Sequence, residues 1–339
     1  MIIDCHGHYT TEPKDLHRFR KEQTAAAKDK TAMPSRAALK MPDDEIRESI
    51  EGNQLKLQRE RGTHVTIFSP RASGMGHHVG DESVSVEWSQ ICNDLIARVI
   101  SLYPKNFIGV CQLPQSPGVD PKNSATELER CVKMGFVGCN LNPDPSGGYF
   151  NSPPMTDKSW FPLYEKMIEL DVPCMIHSST CLSSRLSYTL HFVNEESIAV
   201  ISLLNSRVFQ DFPKLKIVVP HGGGAIPYHM GRFMAGRYSS RRDKSRKAVS
   251  EANYFENVAK KLHYDTCLYT PEALELLLKV MGANCCMFGT ESPGSGSSVN
   301  PHTGRAMDDL KPIIEGFSWL TEADRNNIFE LNARRLYRL

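Results

Sequence analysis

Ile2-Ile3-Asp4-Cys5-His6-Gly7-His8 is a short apolar run that ends in polar, chemically capable side chains. Seven further runs of similar character follow, at residues 65–68, 107–111, 136–141, 172–176, 217–219, 263–268 and 285–288. They are continuous rather than alternating, as strands covered on both faces should be. Between most of them lie amphipathic segments. Residues 86–102 carry Trp88, Ile91, Cys92, Leu95, Ile96, Val99 and Ile100, and residues 122–134 carry Leu128, Cys131 and Val132. Residues 198–209 and 271–281 read similarly, and many runs end in or before Pro and Gly, which marks strand exits. Eight strands alternating with helices predict a parallel α/β sheet, and the count of eight favours a closed (β/α)8 TIM barrel.

A barrel needs about 250 residues plus insertions, and the chain has 339. Two stretches exceed ordinary loops, at about residues 9–62 and 235–261. The first contains helical patterns, notably over 43–61. The second is polar, with Arg237, Arg241, Arg242, Lys244, Arg246 and Lys247. Such a run reads as a solvated surface, with contact to an anionic partner as the alternative. No internal repeat or linker interrupts the chain, so residues 1–339 are expected to form one domain with two insertions.

Hydrophobic residues make up 40% and charged residues 23%, the balance of a globular chain rather than a disordered or fibrous one. The 40 basic and 39 acidic residues leave a net charge of +1, without the basic excess of a nucleic-acid binder. Ten scattered cysteines form no Cys-x-x-Cys pair and read as reduced core thiols. Met1 leads into Ile2-Ile3-Asp4 without a basic region or long apolar run, unlike a signal peptide. No stretch approaches the roughly 18 apolar residues of a membrane helix. A cytoplasmic protein without membrane or nucleic-acid partners is expected.

The chemistry gathers at four strand ends. Residues two apart on a strand face the same side, so His6 and His8 point together as two ligands of one metal require. Neutral imidazoles suit zinc. His177 follows the run at 172–176, His221 precedes Gly222-Gly223-Gly224, and Glu291 lies in Phe288-Gly289-Thr290-Glu291. Each histidine alone could be a structural residue. Three strand ends with histidine and one with glutamate, all opening on the catalytic face of a barrel, predict a metal site.

This pattern resembles the amidohydrolase superfamily: His-x-His on the first strand, His on the fifth, His-Gly-Gly on the sixth and a carboxylate on the eighth. The fourth strand reads Cys139-Asn140-Leu141-Asn142-Pro143, without the lysine that binuclear members carry, which implies one metal ion. The resemblance implies that His6, His8 and His177 hold the ion, zinc first and manganese as the alternative. Glu291 would complete or border its sphere, and His221 would orient water or substrate from off the metal.

Longer motifs are similar to the 4-oxalomesaconate hydratases within that superfamily. They are Ile3-Asp4-Cys5-His6-Gly7-His8-Tyr9-Thr10, Phe68-Ser69-Pro70-Arg71-Ala72-Ser73, Leu113-Pro114-Gln115-Ser116-Pro117-Gly118, residues 140–148 and 220–229, Gly231-Arg232-Phe233 and Asn332-Ala333-Arg334-Arg335. They span essentially the whole chain. Decarboxylases of the same branch carry Asp at the eighth-strand position, where this chain has Glu291. Two segments depart from the hydratase pattern. Residues 178–194 lack the expected tyrosine pair near His191-Phe192, and the loop Ser292-Pro293-Gly294-Ser295-Gly296-Ser297-Ser298 lacks an arginine.

The resemblance implies reversible addition of water to the double bond of 4-oxalomesaconate or a closely related keto acid, in protocatechuate or gallate degradation. The alternative it leaves is a metal-dependent decarboxylase of a hydroxylated aromatic or muconate-type acid. Glu291 and His221 are the expected catalytic groups, Glu291 shuttling the proton. A polycarboxylate partner needs cations, and Arg71 and Arg232 are placed for bidentate contact; surface salt bridges are the alternative for both. His78, Asn142 and Ser178 are further candidates for substrate binding. Members of this branch are commonly dimers or larger, so a homo-oligomer is expected.

Overall fold

The computed structural model describes residues 1–238 and 254–339. The side chain of Arg237 and the basic residues Arg241, Arg242, Lys244, Arg246 and Lys247 lie outside the described residues.

Among the described residues eight short strands form in chain order: β1 (Ile3–His8), β2 (Val65–Ser69), β3 (Phe107–Gly109), β4 (Cys111–Gln112), β5 (Cys139–Leu141), β6 (Cys174–Ile176), β7 (Ile217–Val219) and β8 (His263–Tyr264). All pair in parallel, β1-β2-β3 in one set and β4 through β8 in the other. The run 107–111 is one stave interrupted at Val110. Val110 N donates to Phe68 O (3.0 Å), and Cys111 N donates to Gly138 O (3.1 Å), so the two sets join there. Residues 285–288 supply the last stave. On one side Tyr264 N donates to Cys285 O (2.9 Å) and Met287 N to Tyr264 O (2.7 Å); on the other, Cys5 N donates to Phe288 O (2.8 Å). The ring therefore closes as a (β/α)8 barrel.

Every residue of β1, β5, β6 and β7 is buried. That is the origin of the unbroken apolar runs: one face meets the helices and the other fills the barrel. Ile3, Cys5, Ile67, Val110, Met175, Val218 and Met287 form a separate interior cluster with Ala333, Leu336 and Tyr337 of the C-terminal helix.

The helices are α1 (Lys14–Asp29), α2 (Asp43–Gly52), α3 (Gln54–Arg61), α4 (Glu82–Leu102), α5 (Lys122–Lys133), α6 (Phe161–Glu169), α7 (Tyr188–Asn205), α8 (Val208–Asp211), α9 (Ile226–Tyr238), α10 (Tyr254–Ala259), α11 (Pro271–Met281), α12 (Lys311–Glu315), α13 (Glu322–Asn326) and α14 (Asn332–Tyr337). The Asp81 carboxylate caps α4 by accepting from Ser83 N and Val84 N. Its core face is buried at Val84, Trp88, Ile91, Leu95 and Val99. The insertion after β1 holds α1, α2 and α3, whose Leu16, Phe19, Ile46, Ile50 and Leu55 join the same hydrophobic cluster as the barrel's outer face. Helix α7 begins at Tyr188, ten residues before the amphipathic pattern at 198–209 suggests. Its first turns direct Tyr188 and Phe192 towards a cleft instead of the core, and that weakens the apolar signal.

All ten cysteines are free thiols, and all but Cys181 are buried. Among the described residues no helix is long and apolar enough to cross a membrane.

Candidate metal centre and active site

Strand β1 carries an irregularity between Asp4 and Gly7 in its pairing with β2. Cys5 packs in the barrel interior, so strict alternation would turn His6 outward. The bulge shifts the phase and returns His6 and His8 to the inside. Gly7 then faces β2 so closely that a Cβ there would stand 2.2 Å from Thr66 Cγ2. Only glycine fits between the two histidines.

The Nε2 atoms of His6 and His8 lie 2.9 Å apart, and those of His8 and His177 3.1 Å apart. The opposite ring nitrogens each have a partner. His6 Nδ1 meets Asp265 Oδ2 (2.6 Å), His8 Nδ1 meets Ser69 Oγ (2.6 Å), and His177 Nδ1 meets the Ser178 carbonyl (2.7 Å). The Asp265 and Ser178 oxygens are acceptors, so their histidines carry the proton on Nδ1. The Ser69 hydroxyl donates to Pro70 O (2.9 Å) and accepts from Asn140 Nδ2 (3.1 Å), which leaves it an acceptor towards His8 as well. Three unprotonated Nε2 atoms thus face one another.

Burial, then the neighbouring imidazoles, hold His8 down at about 3 and push His177 well below the ordinary histidine range. Such neutral, converging lone pairs repel unless a cation lies between them. Around a tetrahedral ion with bonds of about 2.1 Å, nitrogens stand about 3.4 Å apart, close to the spacing here. The partners on Nδ1 are those expected around metal-bound imidazole. The donor set therefore fits a divalent cation. Asn140 occupies the fourth-strand position with its amide engaged by Ser69, so no lysine is available there to bridge a second ion.

Two reactive groups flank the triad. His221 and Glu291 both adopt left-handed backbone, with φ of 52° and 58°. Non-glycine residues rarely do so, at a cost of order 1–3 kcal/mol, and such conformations cluster at working sites. At His221 the turn continues through Gly222, whose N donates to Asp265 Oδ1 (2.8 Å). A Cβ on Gly222 would meet Leu268 at 2.4 Å. At Glu291 the backbone N donates to His6 O (2.8 Å) and fixes the loop to β1.

The ligand atoms of His6, His177, His221 and Glu291 all lie within 4.8 Å of one another. His221 Nε2 stands 3.9 Å from Glu291 Oε1. Tyr269 donates its hydroxyl to Glu291 Oε2 (3.1 Å). Burial opposes charge on both groups, yet opposite charges prevail. Glu196 and Glu291 raise His221 well above its usual range, while His221 holds Glu291 below the usual carboxylate range. The opposed shifts favour imidazolium on His221 and carboxylate on Glu291, the arrangement of an acid beside a base.

Glu196 escaped the reading of the sequence. From α7 it accepts from His221 Nδ1 (2.7 Å) with one oxygen and from Ser178 N (3.1 Å) with the other. Tyr188, Phe192 and Glu196 follow helical spacing, so the helix brings them to one side. Asp265 was missed too, although it directly follows β8. Its strand-end position is the signal that marks it.

A cleft of about 340 Å3 opens beside the triad, lined by His8, Thr10, Arg71, Tyr188, Phe192 and Glu291 among others. Ser295, from the loop without the arginine, also lines it. Arg71 brings the guanidinium and pairs with buried Glu12 at 2.9 Å. Ser178 is buried behind His177. Asn142 is buried and its side-chain oxygen accepts from Asp144 N (3.1 Å), closing a turn. His78 is partly buried and lies outside the cleft lining, as does Arg232, exposed on α9.

The family model described as amidohydrolase matches residues 3–339. The chain is 47% identical over 339 residues to 2-keto-4-carboxy-3-hexenedioate hydratase of a Sphingobium species, covering 99% of this chain and 96% of that one. Its fold matches the crystal structure of 4-oxalomesaconate hydratase from Rhodopseudomonas palustris with a TM-score of 0.87 and 45% identity, over 100% of this chain and 96% of that one. A dihydroxybenzoic acid decarboxylase from Polaromonas, solved with bound manganese, shares the fold at a TM-score of 0.72 and 23% identity, over 100% of this chain and 97% of that one. With a barrel, a histidine triad and a family match over nearly the whole length, the chain belongs to the amidohydrolase family.

Proposed function

We propose that this protein is a metal-dependent hydro-lyase that adds water reversibly to 4-oxalomesaconate or a closely related polycarboxylate keto acid in aromatic catabolism. The observation that carries the proposal is the placement of Glu291 and His221 3.9 Å apart at the rim of the histidine triad, with shifts that favour carboxylate on one and imidazolium on the other. Dehydration needs both groups at once. A base must remove hydrogen from the carbon beside the ketone, and an acid must protonate the hydroxyl that leaves the next carbon. Glu291 supplies the first and His221 the second; hydration runs the same transfers in reverse. A decarboxylase needs a proton donor for the vacated carbon but no acid for a departing hydroxyl. The similarity to two hydratases supports the same choice.

His6, His8 and His177 would hold the ion, zinc or manganese, with Glu291 on its open side. A bound ion would act as a Lewis acid towards the developing oxyanion. Arg71 would take one substrate carboxylate at the cleft wall, and Ser178 and Asn142 would shape the wall behind it. His78 and Arg232 remain outer candidates. The ten free thiols support a reducing, cytoplasmic setting, and a homo-oligomer is part of the same proposal.

The test is turnover in deuterated water. Incubation with 4-oxalomesaconate should change the mass by one water and introduce deuterium at the carbon beside the ketone. Release of carbon dioxide, or product without water addition, would reject the hydratase. Elemental analysis should find about one divalent ion per chain. Two tightly held ions would remove the mononuclear reading, and activity surviving complete metal removal would remove the metal altogether.

Arg71→Met is expected to weaken transition-state binding by roughly 2–5 kcal/mol, the scale for breaking a desolvated charge pair. The ratio of kcat/KM between variant and wild type measures it. Unchanged efficiency would take Arg71 out of the site, and Arg232→Met tests the outer candidate in the same assay.

A further inference from the structure

Helix α1 presents His17, Lys21, Thr24 and Lys28 at successive spacings of four, three and four residues, which places them along one face. That face walls a second cleft of about 450 Å3, which also includes Arg20 and Arg71. Arg71 is shared with the catalytic cleft. The two cavities therefore have Arg71 as a common wall.

The charge in this groove is uncompensated in a selective way. Lys21 and Lys28 are exposed and make no ion pair with any described residue. Arg18, on another face of the same helix, pairs with both Asp15 (3.1 Å) and Glu22 (2.8 Å). Arg20 is fixed in place, its guanidinium stacked 4.7 Å from the Trp88 ring and donating to Gly76 O (2.9 Å). It has no carboxylate partner among the described residues. Of the acids near the groove, Glu12 is already engaged by Arg71 (2.9 Å) and close to His17 (3.5 Å), and Glu87 accepts from Gln23 Nε2 (3.1 Å). Burial, then the charges of Arg71 and Lys21, lower the His17 pKa, as a positive field should. The Arg71 side chain is about one-third exposed, which leaves part of the shared guanidinium open to a ligand.

We propose that the α1 groove is a capture site for polycarboxylate anions at the mouth of the catalytic cleft. An anion held by Lys21 and Lys28 lies against Arg71, which can pass one carboxylate inward. The groove raises the local concentration of substrate, and steering of this kind changes association rates by roughly 10- to 1000-fold at low salt. The role in catalysis rests on the polycarboxylate hydratase reading; binding of an anion to the groove does not.

The experiment uses the holoenzyme and tricarballylate, a saturated tricarboxylate with no double bond to hydrate. Calorimetric titration at low ionic strength should show binding that Lys21→Glu/Lys28→Glu weakens about tenfold or more, on the scale of electrostatic steering. The difference should largely disappear near 0.5 M salt, where screening is short-ranged. Lys14→Glu/Arg18→Glu makes the same change in net charge on another part of the helix and should cost much less. Equal affinity in wild type and the groove variant, or equal losses in both variants, would overturn the proposal. Loss of tricarballylate binding in the groove variant alone would uphold it even if the enzyme failed to hydrate 4-oxalomesaconate. For an enzyme that does hydrate it, kcat/KM should fall in parallel.

Discussion

Glu291→Gln should lower kcat by about three to four orders of magnitude, the upper range for loss of a positioned proton-transfer group. Glutamine keeps the size of the side chain, and its carbonyl can still accept from Tyr269. It cannot accept a proton from carbon. Its amide would also present N–H donors towards the protonated His221, where the carboxylate presents an acceptor at 3.9 Å. The variant therefore loses the base and weakens the stabilisation of the acid together. Exchange of the hydrogen beside the ketone, followed by mass spectrometry in deuterated water, should fall as far as net hydration does. Near-normal turnover would reject Glu291 as the shuttle. Turnover lost with exchange intact would assign proton abstraction to another group.

Much of this site is legible in the chain because its residues sit where strands end. His6, His8, His177, His221 and Glu291 each follow an apolar run, and a closed barrel sends all those ends to one face. The strands stand out because burial on both faces removes polar residues from them. Alternation correctly put His6 and His8 on one side, but it could not aim them inward. Ile3 and Cys5 already occupy the interior phase, and the turn of His6 depends on an irregularity that pairing with β2 creates.

Other parts depend on contacts between distant elements. Glu196 lies on α7, between the His177 and His221 loops in sequence but within a helix, and nothing local marks it as their partner. The start of α7 was hidden because Tyr188 and Phe192 face a cleft, so the core periodicity begins only later. Arg71 and Arg232 read alike as candidate clamps. The fold sets Arg71 in the cleft wall beside Glu12 and leaves Arg232 exposed on α9, a difference fixed by packing of α1 and α9 around the barrel.

Glu196 is a positioning residue for His221, and Glu196→Gln should lower kcat by about two to four orders of magnitude. The lower figure is loss of an aligned acid, and the upper is the cost of holding a histidine in the wrong tautomer. In the wild type the carboxylate accepts from His221 Nδ1 at 2.7 Å and favours the charged ring. Glutamine can still accept from Ser178 N with its carbonyl. Its remaining amide then donates to His221 Nδ1, which selects a neutral ring protonated on Nε2. Replacing the anion removes the main influence raising the His221 pKa. The alkaline limb of the kcat profile, where His221 loses its proton, should therefore move to lower pH, and activity should recover partly on acidification. The loss should fall on kcat more than on KM, because Glu196 lies behind His221 and away from the cleft lining. Glu196→Asp keeps the charge and should preserve the pH profile while losing some rate to a longer reach. A Glu196→Gln enzyme that is slow but keeps the wild-type pH profile would mean that the carboxylate serves only to pack α7 against the barrel.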